Sequence, residues 1–592
     1  MGVPGFFAWI HRNYKKTSLI TNINNNKLNN NVTNLFIDTN CLIHPQCFSI
    51  LNQFKDLKNI DRLEAKMINQ VILYLNEIIE LVNPMELIYI AIDGVAPMAK
   101  IKHQRIRRFK SVRDSEMKND IRRKHKVEEE NLWSNACITP GTVFMEKLNK
   151  SIINYILHTK NTVNKKRNVL FSSSNTPGEG EHKVLQYIRN NDVKGNSVIY
   201  GLDADLLFLS LATHNENIHL IRESQELGHE ADTTFGGKFN YVSIDILRDC
   251  IIQEMIYQIA DEGDESMEQI IKLNSKRFIN DFIFVCFLLG NDFVPNIVSL
   301  SLRTQNKKID NGLDILFEKY GDVFRKINKK KGLTFIVRDN CTIEFDFFKE
   351  LCAELSLHER DMLTQTAKFK RFYPNIPPDL SNCEIELFKL DNLSFKINDP
   401  VKLGVDDKDK ERYYKHYYDI ESLEEKEKGK ERIEEMCREY LYGLYWINNY
   451  YFKDCLDWNW CFPHHYGLFM SDISEYLSEI SDDEFNKIFI KPLNNNYNSI
   501  KPFEQLMLVL PRQLAYLLPP VLKYKMNNDA IIKKHAPYVF DQDMLYKTKL
   551  WQAIPKIDMV PLDHILSILD TVKLDAADEK RNKTMKIYRN DM

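Results

Sequence analysis

The stretch Thr176–Leu211, TPGEGEHKVLQYIRNNDVKGNSVIYGLDADLLFLSL, constrains the fold more than any other part of this chain. It carries two acidic pairs at two-residue spacing, Glu179 with Glu181 and Asp203 with Asp205. The first pair follows a Pro177–Gly178 turn and opens an amphipathic run (Val184, Leu185, Tyr187, Ile188) that predicts a helix. The second follows an apolar run, Val198–Leu202, that predicts a buried strand. In an open α/β sheet, side chains just past the C-terminal ends of parallel strands gather in one crevice. Carboxylates meeting there repel by about 4 kcal/mol per close pair at an effective dielectric of roughly 20. Divalent cations relieve that repulsion, and ligation by oxygen alone suits Mg²⁺ or Mn²⁺ better than Zn²⁺.

Each acid alone has a plainer use. An Asp at a strand end often caps the next helix, and a Glu in a first turn complements the helix dipole. The case for chemistry therefore rests on acids arriving from other strand ends. Leu35–Phe36–Ile37 predicts a short buried strand ending at Asp38, with Asn40 and His44 just beyond. Leu87–Ile92 predicts another that ends at Asp93, and Asp61–Val82 between them has a helical apolar stripe. Val169–Ser172 supplies a further strand, and Thr139–Thr142 a turn and cap before the next helix. The run Ile279–Leu289 is too apolar all round for a surface helix, and it leads into GNDFVP and Asp292. Seven acids thus qualify: Asp38, Asp93, Glu179, Glu181, Asp203, Asp205 and Asp292. Strands alternating with helices argue a mostly parallel sheet covered on both faces.

At 592 residues the chain is long enough for two or more domains. No apolar run approaches the roughly 18 residues that a membrane span needs, so no membrane partner is expected. The N-terminus lacks the basic flank and apolar core of a signal peptide. Eleven scattered cysteines without a C-x-x-C pair imply reduced thiols in an intracellular compartment. The net charge of −3 conceals a sign change after Asp93: Lys100–Lys126 holds twelve Lys or Arg against three acids. A solvated helix face is the plain interpretation. The sharper one is a phosphate-binding stripe beside the acids, with Lys100, Gln104, Arg107 and Arg108 at helical spacing on one face.

MGVPGFFAWI, FIDTNCLIH, YIAIDGVAPMAK with RRF, ITPGTVFM, PGEGEHK, YGLDADLL and FLLGNDFVP occur in that order. Together they resemble the XRN family of 5′→3′ exoribonucleases from residue 1 to about Leu300. The likeness resumes at EYLYGLYWINNYYFKDCLDWNWCFPHHYGLFMSDI, around Tyr440, and at KPFEQLMLVLP, Lys501–Pro511. The resemblance implies a mixed, mainly parallel PIN/FEN-like nuclease sheet flanked by helices, with a mostly helical second conserved segment. It divides the chain into a nuclease core (1–320), a charged linker or helical connector (321–435) and a second segment (436–592) that clamps the active site. It implies processive hydrolysis of 5′-monophosphorylated single-stranded RNA to mononucleotides. The seven acids would hold two Mg²⁺ or Mn²⁺ ions roughly 3.5–4 Å apart. Lys100, Gln104, Arg107 and Arg108 are assigned to the terminal phosphate. His44 and Trp460 are assigned to stacking on the first bases, a contact that tolerates any base. Without the resemblance, Trp458 and Trp460 read as core aromatics. The implied role is mRNA decay in the cytoplasm, with a nuclear place of action left open. Decapping factors, which generate 5′-monophosphate ends, are partners that the sequence leaves open.

The chain also departs from the family. Nuclear members often carry a cysteine-bearing zinc knuckle after the fourth strand, whereas RESQELGHEADTTFGGK has no cysteine, so no zinc is expected. WQAIPKIDMVPLDHIL keeps an aromatic start but lacks the apolar run expected to follow it, and the polar residues after Lys573 are expected to form a frayed tail. Asn22–Asn34, with eight Asn in thirteen residues, is expected to be a loop. Three other functions are weighed. A structure-specific 5′ flap DNA nuclease would share the sheet and acids but not the second segment. A haloacid-dehalogenase-type phosphatase wants Asp-x-Asp, and Asn40 stands in the second place. A catalytically inactive RNA-binding scaffold has no need of an intact acidic set.

Overall fold

A computed structural model describes residues 6–14, 19–23, 31–54, 59–129, 133–160, 162, 166–201, 205–223, 239–300, 312–367, 374–420, 426–489 and 498–590. Its centre is a sheet of β1 (Ile20–Ile23), β2 (Val32–Asp38), β3 (Leu87–Ala91), β4 (Asn168–Ser172), β5 (Asn196–Tyr200), β6 (Ile218–Glu223) and β7 (Phe239–Ser243). A short pair, β8 (Gln542–Asp543) with β9 (Ile554–Pro555), stands apart, and β10 (Tyr588–Arg589) returns to the main sheet. The order is β1-β7-β6-β5-β2-β3-β4-β10. The central pairings β6–β5, β5–β2, β2–β3 and β3–β4 are parallel; those at the two edges are antiparallel. The expected mixed, mainly parallel sheet is therefore present.

Strand alternation explains why both faces are covered. Phe36, Tyr89, Leu170 and Ile199 enter one apolar core, and their neighbours Leu35, Ile37, Ile88, Ile90, Val169, Phe171 and Val198 enter another. Side chains of period two face opposite ways, so uninterrupted apolar strands need helices on both sides. The first core takes α1 (Phe6–Asn13), whose Phe6 stacks on Phe208 with ring centroids 4.4 Å apart. The second takes α2 (Asn40–Gln53), α3 (Ile60–Val82) and α5 (Val143–Thr159), with α4 (Met98–Lys124) lying between α3 and α5 in the chain. Thr142 caps α5, accepting from Met145 N. α6 (Gly180–Asn190) and α7 (Asp205–Ala212) complete the first layer.

Four expectations need correction. The described part of 321–435 is mainly helical, as one of its two readings has it, but not a linker: Phe324, Phe335, Phe347, Phe348 and Leu351 are buried in the same core as β2 and α7. A boundary at 436 falls inside one helix, Lys426–Phe452, because its charged first half and aromatic second half share a continuous backbone ladder. The residues after Lys573 are ordered, forming a helix, Ala576–Arg581, and then β10 on the free edge of β4. Asn590 fixes that edge, its N donating to Val169 O while its Oδ1 accepts from Val169 N, both at 3.1 Å. An uncovered edge would leave such groups unpaired, which is why a polar tail can be held firmly. Part of the asparagine-rich stretch is strand as well, since Asn22 pairs with Asn240 in β1–β7 and Asn34 lies in β2; residues 24–30 lie outside the described set.

Candidate active site

The parallel strands deliver their acids to one edge. β2 ends on Asp38, and Asp93 lies two residues past β3. Glu179 is the N-cap of α6 and Glu181 sits in its first turn, while Asp205 opens α7. Asp292 arrives from the far side, after the turn Phe287–Leu289 and Gly290. At Gly290 the backbone has φ +82°, and a Cβ would stand 2.6 Å from Asn296 N, so glycine is required there. Asp203 lies outside the described residues, as do residues 224–238, where the zinc knuckle would fall.

Local bonds fix the two strand ends to one another. Asn40 Nδ2 donates to Asp93 Oδ2 at 2.6 Å, and Asp93 N donates back to Asn40 Oδ1 at 3.2 Å. Gly180 N donates to Asp93 Oδ1 at 2.6 Å. A side chain at Gly180 would meet Asp38 Oδ1 at 2.5 Å, so the glycine between the paired glutamates admits the carboxylates of Asp38 and Asp93 to the head of α6. Burial raises the Asp93 carboxyl, and the neighbouring Glu179 adds to the shift. Lys183, one turn into α6, donates to Ile92 O at 2.7 Å and Ser173 O at 3.0 Å, and burial lowers its amine to about 7.

Lys100 sits among these acids. Its Nζ lies 2.5 Å from Glu179 Oε2 and 2.8 Å from Asp292 Oδ2. Burial works against that ammonium, but Asp292, Glu179, Glu181 and Asp205 outweigh it and raise the amine well above its ordinary value. Burial likewise opposes the Asp292 charge, while His103 and Lys100 hold that carboxyl well below the usual range. His103 Nδ1 is 3.3 Å from Asp292 Oδ2, and burial keeps the imidazole below its ordinary value. Among the described residues no three His, Cys, Asp or Glu side chains converge as a metal centre. The donor set nevertheless fits hard divalent cations: it is carboxylate throughout, and a lysine ammonium already stands between two of its members.

The second segment reaches the same acids through residues that the sequence reading passed over. Tyr450 OH donates to Glu179 Oε1 and Tyr451 OH to Asp205 Oδ1, each at 3.0 Å and buried. His182 stacks on Tyr450 with centroids 3.7 Å apart. The adjacent tyrosines of NNYYF were the available signal, but only the tertiary fold brings them to Glu179 and Asp205. The same segment grips α4: Met98 N donates to Trp458 O at 2.8 Å, and Lys102 Nζ to Phe462 O at 2.6 Å and His464 O at 2.9 Å. Arg105 donates to the carbonyls of Leu508, His535 and Asp558. Much of the basic run is thus spent inside the fold. Lys102, Arg105 and Lys110 are buried structural donors, and Lys118, Arg123 and Lys124 are ion-paired.

The assigned quartet does lie along α4, next to the acids. Gln104 Oε1 accepts from Gln505 Nε2 at 3.2 Å, and Arg108 Nη2 donates to Thr139 Oγ1 at 2.7 Å. Arg107 is exposed. The assigned stacking pair is not brought together as an open sandwich. His44 is half-buried on α2, one turn after Asn40. Trp460 is 5% exposed, with its ring 5.1 Å from Trp446 and 5.7 Å from Tyr442 by centroid, and it also packs on Gly443. Its place here is the aromatic core, the alternative weighed above, and Trp458 is the half-buried member of the pair.

A mostly parallel sheet with acids at its carboxyl edge and helices on both faces is the architecture of a PIN-like nuclease domain, the class to which the family match assigns this one. The XRN 5′-3′ exonuclease N-terminus family matches residues 1–224, and the Xrn1 helical domain matches residues 272–379 and 379–588. The chain belongs to the XRN family. It is similar to 5′-3′ exoribonuclease 2 of Gallus gallus, with 27% identity covering 98% of this chain and 71% of the relative. Against 5′-3′ exoribonuclease 2 of Arabidopsis thaliana the identity is 28%, covering 99% and 69%. Against 5′-3′ exoribonuclease 1 of Homo sapiens it is 27%, covering 98% of this chain but only 35% of the relative, so the chain spans about a third of that protein.

Proposed function

We propose that this XRN-family chain, a 5′→3′ exoribonuclease, hydrolyses 5′-monophosphorylated single-stranded RNA processively to mononucleotides with divalent metal ions. The observation that carries this reading is the placement of Lys100. One buried ammonium joins the acidic edge to the helix face that bears Gln104, Arg107 and Arg108. A terminal phosphate on that face would stand beside the acidic edge.

The chain's own residues would divide the work as follows. Arg107 and Arg108 are forked donors suited to the three free oxygens of a monoester. Asp38, Asp93, Glu179, Glu181, Asp205 and Asp292, with Asp203, would hold two Mg²⁺ or Mn²⁺ ions. Such ions supply a water of lowered pKa and neutralise charge on the leaving oxygen. Asn40, Gly180 N, Tyr450 and Tyr451 orient the carboxylates by the bonds given above. Cleavage breaks the bond from phosphorus to the 3′ oxygen of the first nucleotide and releases a nucleoside 5′-monophosphate. The shortened RNA then begins with a new 5′-monophosphate, the same ligand again, which is the chemical logic of processive action. Asn40, the residue that spoils a phosphatase motif, serves here to hold Asp93. Cytoplasmic mRNA decay is part of the same proposal, with decapping as the source of 5′-monophosphate ends; fractionation of cells expressing a tagged chain tests the location.

The test is degradation of one RNA bearing a cap, triphosphate, monophosphate or hydroxyl at its 5′ end, with Mg²⁺ and with chelator. The expected result is rapid release of mononucleotides from the monophosphate alone, abolished by chelation. Equal rates on all four ends would overturn the end recognition, and activity in chelator would overturn the metal assignment.

A further inference from the structure

Lys100 is asked to serve two partners of opposite need. In the protein as it stands, its Nζ bridges Glu179 and Asp292 at 2.5 and 2.8 Å. Those two acids come from unrelated parts of the chain, the head of α6 and the turn after Gly290, so the ammonium ties two sides of the site together. Yet Lys100 also leads the helix face proposed above for the terminal phosphate. A single ammonium cannot neutralise a carboxylate pair and a dianionic phosphate fully at once. Lysine is suited to change partners, being a point charge on a flexible four-carbon stem rather than a planar fork. The ring of Phe293, with its centroid 5.9 Å from Nζ, gives that charge an aromatic neighbour beside the acids.

We infer that Lys100 is an exchange cation that couples recognition of the RNA end to assembly of the metal site. In the free enzyme it neutralises Glu179 and Asp292 and competes with divalent cations for them. A 5′-monophosphate seated on Gln104, Arg107 and Arg108 draws the ammonium to itself and leaves both carboxylates to the metal. The inference rests on the reading of that helix face as a 5′-phosphate site. It adds a consequence which that reading alone does not contain. A hydroxyl end or an internal phosphodiester leaves Lys100 among the acids, so the wrong end is refused by an incomplete metal site as well as by poor contact. Coupling of this kind is reciprocal: whatever factor the phosphate adds to metal affinity, the metal adds to phosphate affinity.

The experiment measures Mn²⁺ binding to the full chain by electron paramagnetic resonance, without RNA and with an uncleavable 2′-O-methyl phosphorothioate oligonucleotide. The oligonucleotide carries either a 5′-phosphate or a 5′-hydroxyl. Wild-type enzyme is expected to bind Mn²⁺ about tenfold more tightly with the phosphorylated form than with the hydroxyl form, within the usual range of coupling between sites. Lys100→Met, which keeps the stem but not the charge, is expected to bind Mn²⁺ about tenfold more tightly than wild type without RNA, with the phosphate effect reduced below about twofold. Metal-free fluorescence anisotropy on the same oligonucleotides separates the two levels of the argument. Preference for the phosphorylated end without any change in Mn²⁺ affinity would overturn the exchange and leave the phosphate site standing. No preference at all would overturn both. Should Lys100→Met fail to fold, Lys100→Gln takes its place in both measurements, with the same results expected.

Discussion

Tyr451→Phe isolates the grip of the second segment on the acidic edge. The substitution removes one hydroxyl and keeps the ring, which packs edge-on to Phe287 with centroids 5.1 Å apart. The hydroxyl donates to Asp205 Oδ1 at 3.0 Å, and both residues are buried. A hydrogen bond to a charged acceptor is worth about 1.5–3 kcal/mol, because the partner left behind keeps its full desolvation cost. Asp205 opens α7, so the helix N-terminus offsets part of that loss by about 0.3–1 kcal/mol. About 1–2 kcal/mol remains to be felt as poorer orientation of the carboxylate. That corresponds to a fall of roughly 5–30-fold in kcat/KM on 5′-phosphorylated RNA and a raised Mg²⁺ requirement. The assay is initial rate against Mg²⁺ concentration, with melting temperature measured on the same preparations. Tyr440→Phe is the control, since that hydroxyl donates to Pro295 O, a neutral carbonyl, from the same helix. Turnover of Tyr451→Phe within twofold of wild type at limiting Mg²⁺ would refute the reasoning. So would an equal loss in Tyr440→Phe, which would show a general effect of loosening the helix.

Arg107→Ala, at an exposed position, should lower the preference for a 5′-monophosphate over a hydroxyl end by roughly 10–100-fold with melting unchanged, as read from competition between the two RNAs. Trp460→Ala should destabilise the fold by about 3–5 kcal/mol, the cost of emptying a core aromatic site, and show itself in denaturant unfolding before RNA binding. Asp281 accepts from Tyr320 OH at 2.7 Å, Ile336 N at 3.0 Å and Val337 N at 2.8 Å, yet burial raises its carboxyl to about 7 from an ordinary 3.8. The folded state therefore binds a proton that the unfolded state has released, so this contribution is complete below 3.8 and is lost as pH rises through about 7. Melting curves from pH 4 to 8 should show that decline in the wild type and not in Asp281→Asn, and parallel curves would reject the assignment. Truncation after Leu574 removes β10 and the bond from Arg581 Nη1 to Gly141 O, so it should lower the melting temperature and promote association through the bared edge of β4, seen by light scattering.

Much of this protein follows from local pattern. Uninterrupted apolar runs ending in Asp38, Asp93 and the Asp203–Asp205 pair specify parallel strands, because a strand buried on both faces cannot alternate with polar residues. The Pro177–Gly178 turn and the glutamates after it mark the head of α6 for the same local reasons that make good caps. What pattern could not decide was which partner each charge would find. Lys100 and Lys102 are two residues apart in one basic run, yet one lies between carboxylates and the other between backbone carbonyls. Tyr450 and Tyr451 look like core aromatics in sequence and become donors to acids some 250 positions earlier, 271 and 246 residues away. Trp460 follows the opposite course, from an assignment to base stacking to a place in the core. The cause is common to all three. Helical spacing fixes the face on which a side chain stands, but a buried charge or hydroxyl takes its energy from whatever lies opposite, and that is set by how distant segments pack.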